Sequence, residues 1–377
     1  MSTLAFLFVG FVGALLLASC PAACNVPIIA EGSGNISSAA YISDPGKSWA
    51  VYGFLSPNQT EYFCFDVQKG EQIYLSIIKS ANPAESDFCP NMALIGPGIN
   101  ANGQTVHGDR ISIPDSDPDS DPDSHPDLHP DLHPDSHIYS LSNSLPLAGL
   151  PESYGILVLA GENTRNATYE PFGPSSFIQL AEINLSAPED GRYYAAVFSN
   201  ATPGHYGLTV GYREEFGFME RIGLPLKLIS VYLWSGQSPA MILIPYLMAE
   251  IVGILVFWRS SRRTAYSFAG TLAAFLFLAT SASILNQTVF NLTRAPFGPE
   301  VYVSLGLAAF HAILGVVAIH LARGEAGLLQ RVLIGVIGTI ALLSGSGLIM
   351  GPILAVAASV LPSMNGPVLH LPRISRS

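Results

Sequence analysis

The sequence predicts a mixed fold: an extracellular all-β sandwich of jelly-roll type, followed by an all-α transmembrane bundle of about four helices. Three observations predict it. The chain has 377 residues, 49% hydrophobic and only 12% charged, about half the charged fraction of a soluble domain. The apolar excess is concentrated at residues 4–17 and again from about 238 to 361. Between these stretches lies polar sequence in short strand-like runs, punctuated by Gly and Pro.

Residues 1–23 read as a signal peptide. Leu4 to Leu17 form the apolar run, and Ala18, Ser19, Ala22 and Ala23 supply small residues for a peptidase. No Lys or Arg precedes the run, a departure from the usual pattern. Leu17-Ala18-Ser19-Cys20 also resembles a bacterial lipobox, so lipidation of Cys20 stands as the alternative to plain cleavage near Ala23.

Residues 24–215 form the ectodomain. Its strand-like runs are Trp49–Phe54, Glu61–Val67, Gln72–Ile78, Met92–Ile95, Gly155–Ala160, Phe177–Ile183, Tyr193–Phe198 and His205–Tyr212. Turn chemistry separates them at Asp44-Pro45-Gly46, Lys69-Gly70, Gly96-Pro97-Gly98, Asp190-Gly191 and Pro203-Gly204. Short runs rich in aromatic and β-branched residues with such turns specify a sandwich or jelly roll. Phe65-Asp66-Val67 followed by Gly70-Glu71-Gln72-Ile73-Tyr74-Leu75 resembles the middle of a prepeptidase C-terminal type domain. Gly191 to Val197 and Gly204 to Val210 resemble its last two strands. The resemblance implies a small β-sandwich of the kind that accompanies secreted enzymes, some of them similar to carbohydrate-binding modules. Aromatic residues such as Trp49, Tyr52, Tyr62, Tyr169, Tyr193 and Tyr194 fit either a core or stacking on sugar rings, and alternating strand positions favour the core.

The net charge of −11 is local in origin. Residues 115–137 hold eight Asp and no Lys or Arg, in a four-residue repeat with proline. Proline at that period forbids helix, and the segment has too little apolar content to bury a core. It is expected to be a disordered loop inserted between strands. His125, His129, His133 and His137 would bind divalent metal weakly, or the repeat is a tolerated expansion. No basic stripe exists, which excludes nucleic acid as a partner.

Cys64 and Cys89 are the cysteines of the mature ectodomain, and an oxidising compartment would pair them. A buried free thiol at Cys64 is the other reading. Seven of fifteen Asn lie in Asn-x-Ser/Thr sequons: Asn35, Asn58, Asn166, Asn184, Asn200, Asn286 and Asn291. About two would occur by chance for this pattern, so the excess points to glycosylation.

Residues 216–237 alternate charged and apolar side chains and read as an interfacial segment with Trp234 at headgroup depth, broken at Pro225. Residues 238–362 carry four apolar runs, at about 239–258, 264–285, 301–321 and 332–361. The last is too long for one straight span, and Gly351-Pro352 is the expected break into a span and a short interfacial or re-entrant piece. Residues 363–377 form a tail. Arg259, Arg262 and Arg263 place the first loop in the cytoplasm, and Asn286 and Asn291 then lie outside. Four spans also put Arg373 and Arg376 outside, against the same rule.

Glu250 and His311 are ionisable residues inside predicted spans, and such residues are functional candidates. Glu250 lies twelve positions from Ser238 and His311 ten from Val301, so both sit at depths of about 18 and 15 Å. They are expected to pair, as a structural hydrogen bond or as a proton- or ion-coupled site. A b-type haem would need axial His on facing helices, but His311 and His320 share one helix, so no cofactor is expected. Gly-x-Ser-x-Gly and His-Glu-x-x-His motifs are absent from the sequence. The expectation is a non-enzymatic, multi-pass cell-membrane protein with its ectodomain outside. Its partners would be membrane lipid and an extracellular glycan or surface protein. A proton- or ion-coupled transporter is the alternative.

Overall fold

The computed structural model describes residues 25–29, 32–99, 111–112, 151, 153–163, 166–199, 202–260 and 263–363. The signal segment, Cys20, the Asp/His repeat with its four histidines, Asn200 and the end of the tail lie outside them. The chain divides into two compact units. One comprises residues 1–167 and 177–216, the other residues 168–176 and 217–377.

The first unit is a β-sandwich that curls toward a half-barrel. The strands of the chain are β1 (Val26–Ile29), β2 (Ala40–Tyr41), β3 (Trp49–Leu55), β4 (Thr60–Val67), β5 (Gln72–Ser80), β6 (Asn91–Pro97), β7 (Ile111–Ser112), β8 (Tyr154–Leu159), β9 (Thr168–Glu170), β10 (Ser175–Ser186), β11 (Gly191–Phe198) and β12 (Gly204–Val210); β9 and the first two residues of β10 fall in the second unit. One sheet runs β1-β3-β12-β5-β10-β7, with β9 on β10, and the other runs β2-β4-β11-β6-β8. The central pairings are antiparallel, whereas β1 on β3, β2 on β4 and β7 on β10 are parallel.

The period-2 pattern decides which face is which. On β4, Phe63, Phe65 and Val67 point into the space between the sheets, where Tyr193, Ala195 and Val197 of β11 and Tyr206, Leu208 and Val210 of β12 meet them. The alternate residues Tyr62, Ala196 and Phe198 build a smaller cluster with Ile36 on the outer face of the second sheet. Tyr62 and Tyr193 are therefore core, as their strand positions favoured. Gly53 is required at its position, because a Cβ there would lie 2.6 Å from the Tyr206 ring.

The expected Cys64–Cys89 disulfide does not form, and both thiols are free. Cys64 on β4 pairs with Tyr194, and Tyr194 pairs with Ile95 on β6. Cys89 lies six residues before Ile95. The two cysteines are thus separated by two strand spacings, about 9.6 Å, and by roughly 20 Å along the strands, far beyond the reach of a disulfide. Cys64 Sγ instead lies 3.5 Å from the Ala39 carbonyl, and Cys89 Sγ lies 3.1 Å from that of Gly161.

The second unit is helical: α1 (Phe218–Trp234), α2 (Pro239–Arg259), α3 (Ala265–Leu292), α4 (Val301–Arg323), α5 (Leu328–Leu343) and α6 (Met350–Val360). Pro225 does not break α1; its ring packs against Gly345. Three helices, α2, α3 and α4, are long and apolar enough to cross a membrane. Ser238 caps α2 through the Met241 N–H, and Thr264 and Ser267 form a capping box at the start of α3. With the sandwich ahead of it, this is a multi-pass membrane protein whose N-terminal domain lies outside.

The fourth apolar run is not one long helix. It is a helical hairpin of 16 and 11 residues, about 24 and 16 Å long. The break falls at Gly345-Ser346-Gly347-Leu348, where Gly345, Gly347 and Leu348 have φ of 70°, 71° and 55°. Glycine reaches that left-handed region freely and other residues rarely do. Pro352 falls in the first turn of α6, where proline is tolerated, so it does not mark the break. Gly338 packs on Ala355, and Gly335 on Ser359, which lets the two arms approach closely. Both open ends lie at the start of α3. Tyr266 N–H donates to the Pro362 carbonyl at 3.4 Å. Arg331 Nη1 donates to the Ser359 and Leu361 carbonyls at 3.2 and 2.6 Å. The turn instead reaches the middle of α3, where Gly347 N–H donates to Thr280 Oγ1 at 2.7 Å. Both ends of the hairpin therefore lie at the end of the bundle that carries Arg259 and Arg263, and Arg373 and Arg376 lie outside the described residues.

Candidate functional site

An open cleft of about 610 Å³ lies at one end of the sandwich. Its walls are the Asp44–Gly46 turn, the end of β4 with the following turn, the start of β11, and Tyr212 and Arg213 after β12. The sheet register builds it. Arg192 and Asp66 are paired residues of β11 and β4, so their side chains emerge together. Arg192 Nε and Nη2 donate to Asp66 Oδ1 and Oδ2 at 2.9 and 3.1 Å, the bidentate geometry that suits guanidinium and carboxylate. Tyr41 donates to Asp66 Oδ2 at 3.2 Å, and the guanidinium sits 5.7 Å from the Tyr41 ring. Across the cleft, Arg213 Nη2 donates to Asp44 Oδ1 at 2.7 Å.

The hydrogen bond from Arg192 holds the Asp66 carboxyl below the usual carboxylate range, with its charge and the Tyr41 hydroxyl acting in the same direction. The Asp66 hydrogen bond in turn pushes the Tyr41 phenol up. Asp190 Oδ1 accepts from Lys69 N–H at 2.6 Å, and Glu71 Oε2 accepts from Gln68 N–H at 2.9 Å. The cleft therefore presents four carboxylates against two arginines, all held in place. Two tyrosines stand exposed at its margin, Tyr41 at 57% and Tyr212 at 49%. Such a surface offers fixed donors, fixed acceptors and flat apolar faces. It lacks a nucleophile–base pair. No group of three His, Cys, Asp or Glu able to hold a metal occurs among the described residues.

Sequence reasoning missed this cleft. Tyr41, Asp66, Arg192 and Tyr212 are far apart in the chain, and only the β4–β11 register joins the central pair. Of the six aromatics singled out, Tyr169 belongs to the helical unit.

Glu250 and His311 do not pair. α2 and α4 pack on different faces of α3: Gly253 of α2 lies against Phe275, and Gly315 of α4 lies against Leu278 and the Ala274 carbonyl. Glu250 Oε1 and His311 Nδ1 are each buried without a hydrogen-bond partner. Helical rise carries no information on which helix stands between them.

The sequons also separate. Asn35, Asn58 and Asn166 are exposed, and Asn184 is half-buried. Asn286 and Asn291 lie inside α3, which extends seven residues past its expected end. Asn291 is fully buried: its Nδ2 donates to the Pro174 and Gln287 carbonyls at 2.9 and 2.8 Å, and its Oδ1 accepts from Ser176 at 2.8 Å. A side chain so engaged has no amide free for a glycan.

No known protein-family model matches the chain, and no curated protein does. The ectodomain is jelly-roll-like, and no family match ties it to the prepeptidase C-terminal domains.

Proposed function

We propose that this is a non-enzymatic surface protein whose sandwich binds an extracellular glycan in the cleft at Asp66, Arg192 and Tyr212. One observation carries the reading: an open polar cleft in which guanidinium–carboxylate pairs stand beside exposed tyrosine faces. Sugar hydroxyls need paired donors and acceptors fixed in a plane, and sugar C–H faces stack on aromatic rings. The carboxylates are engaged by arginines and backbone N–H groups, which suits recognition better than proton transfer. The helical unit serves as anchor.

The test is glycan-array binding by the full chain in detergent. Arg192→Ala and Tyr212→Ala are each expected to weaken binding about tenfold or more. No binding to any glycan, or binding that both substitutions leave unchanged, overturns the reading.

A further inference from the structure

We propose that Glu250 and the turn of the α5–α6 hairpin form a binding site for an alkali-metal cation at mid-membrane depth. The proposal goes beyond the glycan reading and does not depend on it.

Two oxygens lack partners at this depth. Ser346, in the turn, is 0% exposed, and its Oγ has no hydrogen-bond partner. One oxygen of the half-buried Glu250, Oε1, is also buried and unpartnered. Thr280 of α3 links the face of α2 that carries Glu250 to the turn that carries Ser346. Tyr246, one turn outward from Glu250 on the same face of α2, hydrogen-bonds to the Thr280 and Ser283 side chains. Thr280 Oγ1 accepts the Gly347 N–H, next in the chain to Ser346. Thr280 thus meets both the Glu250 face of α2 and the hairpin turn.

A carboxylate in an apolar bundle needs a counter-charge, and a buried hydroxyl needs a partner. A cation answers both. One carboxylate balances one positive charge, and hydroxyl and main-chain carbonyl oxygens are hard donors suited to a hard cation. The C-terminal end of α5 directs its carbonyl end, the negative pole of the helix, toward the same turn. Irregular backbone at membrane depth is tolerated where it lines such a cavity.

The experiment uses the full chain in lipid nanodiscs, with sodium chloride exchanged for choline chloride at constant ionic strength. Thermal unfolding is expected to shift upward saturably with sodium. Glu250→Gln should weaken the apparent sodium affinity about tenfold or more, and Ser346→Ala by a smaller factor. Equilibrium binding of radioactive sodium to the unsubstituted chain gives a readout that needs no variant, should Glu250→Gln fail to fold. Stability and radiolabel binding that ignore sodium overturn the proposal. A stabilisation that follows pH, disappears in Glu250→Gln and ignores sodium assigns the carboxyl to a proton and overturns it equally.

Discussion

The phenol of Tyr169 lies 2.8 Å from the hydroxyl of Ser304, at the outer end of α4. It also lies 3.1 Å from Thr288 Oγ1 on α3, so its single proton is shared between the two hydroxyls, and Ser304 donates its own to the Pro171 carbonyl at 2.7 Å. One tyrosine therefore ties the outer ends of two spanning helices to segment 168–176. Tyr169→Phe removes both phenol contacts while keeping the ring. Thr288 and Ser304 retain their bonds to the Ile284 and Pro171 carbonyls, so the expected loss is about 1 kcal/mol, measured by thermal unfolding in nanodiscs.

Asn291 is expected to remain unmodified in folded protein expressed in a glycosylating host. Peptide mass spectrometry would check this, with the exposed Asn35, Asn58 and Asn166 as the positions to compare. An occupied Asn291 would mean that the glycan is added before α3 packs and that its burial is not reached.

The free thiols give a sharp stability contrast. Opening a 25-residue disulfide loop costs roughly 3 kcal/mol. Because Cys89 is unpaired, Cys89→Ala should change stability by about 1 kcal/mol or less. Burial pushes both thiols up, so alkylation of the native protein near neutral pH should be slow and should accelerate on unfolding.

Acid sensitivity should trace to Glu85. Its Oε1 lies 2.6 Å from His205 Nδ1, and its Oε2 accepts the His205 N–H at 2.8 Å. Burial alone would raise this carboxyl, but the His205 hydrogen bonds, with Lys79 nearby, outweigh burial and hold it below its ordinary value. A depressed folded value means that Glu85 stabilises the fold above its unfolded pKa of about 4.3. That contribution is lost as pH falls through the folded value. Glu85→Gln should lower stability at neutral pH and flatten the acid limb of a melting-temperature profile below about pH 4.

The hairpin predicts the side on which the chain emerges. Ser363→Cys should react with a membrane-impermeant maleimide only after the cytoplasmic face is opened. Labelling of intact cells would instead require α5 and α6 to cross the membrane as one span.

The three spans were legible because length, apolar run and flanking arginines all point the same way. The sandwich strands β3, β4, β5, β11 and β12 were legible from period-2 alternation. The short strands β1, β2, β7 and β9 carry too few residues for a periodic signal. The hairpin break was misplaced by a few residues, because Gly351-Pro352 is the stronger local breaker, while the observed turn rests on left-handed residues that only a tertiary partner stabilises. The Glu250–His311 pairing failed for a related reason. Helical rise gives depth, but not which faces meet. Tyr169 read as one more strand aromatic, and its partners lie 119 and 135 residues away, beyond any local pattern.

The hairpin turn carries a consequence for biosynthesis. Spans α2, α3 and α4 can each pass into lipid as they are made, since a spanning helix satisfies its own backbone. The arms α5 and α6 turn back beside the middle of α3, and their turn finds its partner on Thr280, translated 67 residues before Gly347. The last segment of the membrane unit can therefore settle only against a wall that already stands. A chain stalled before residue 328 is therefore expected to leave the three spans with an open groove where the hairpin belongs.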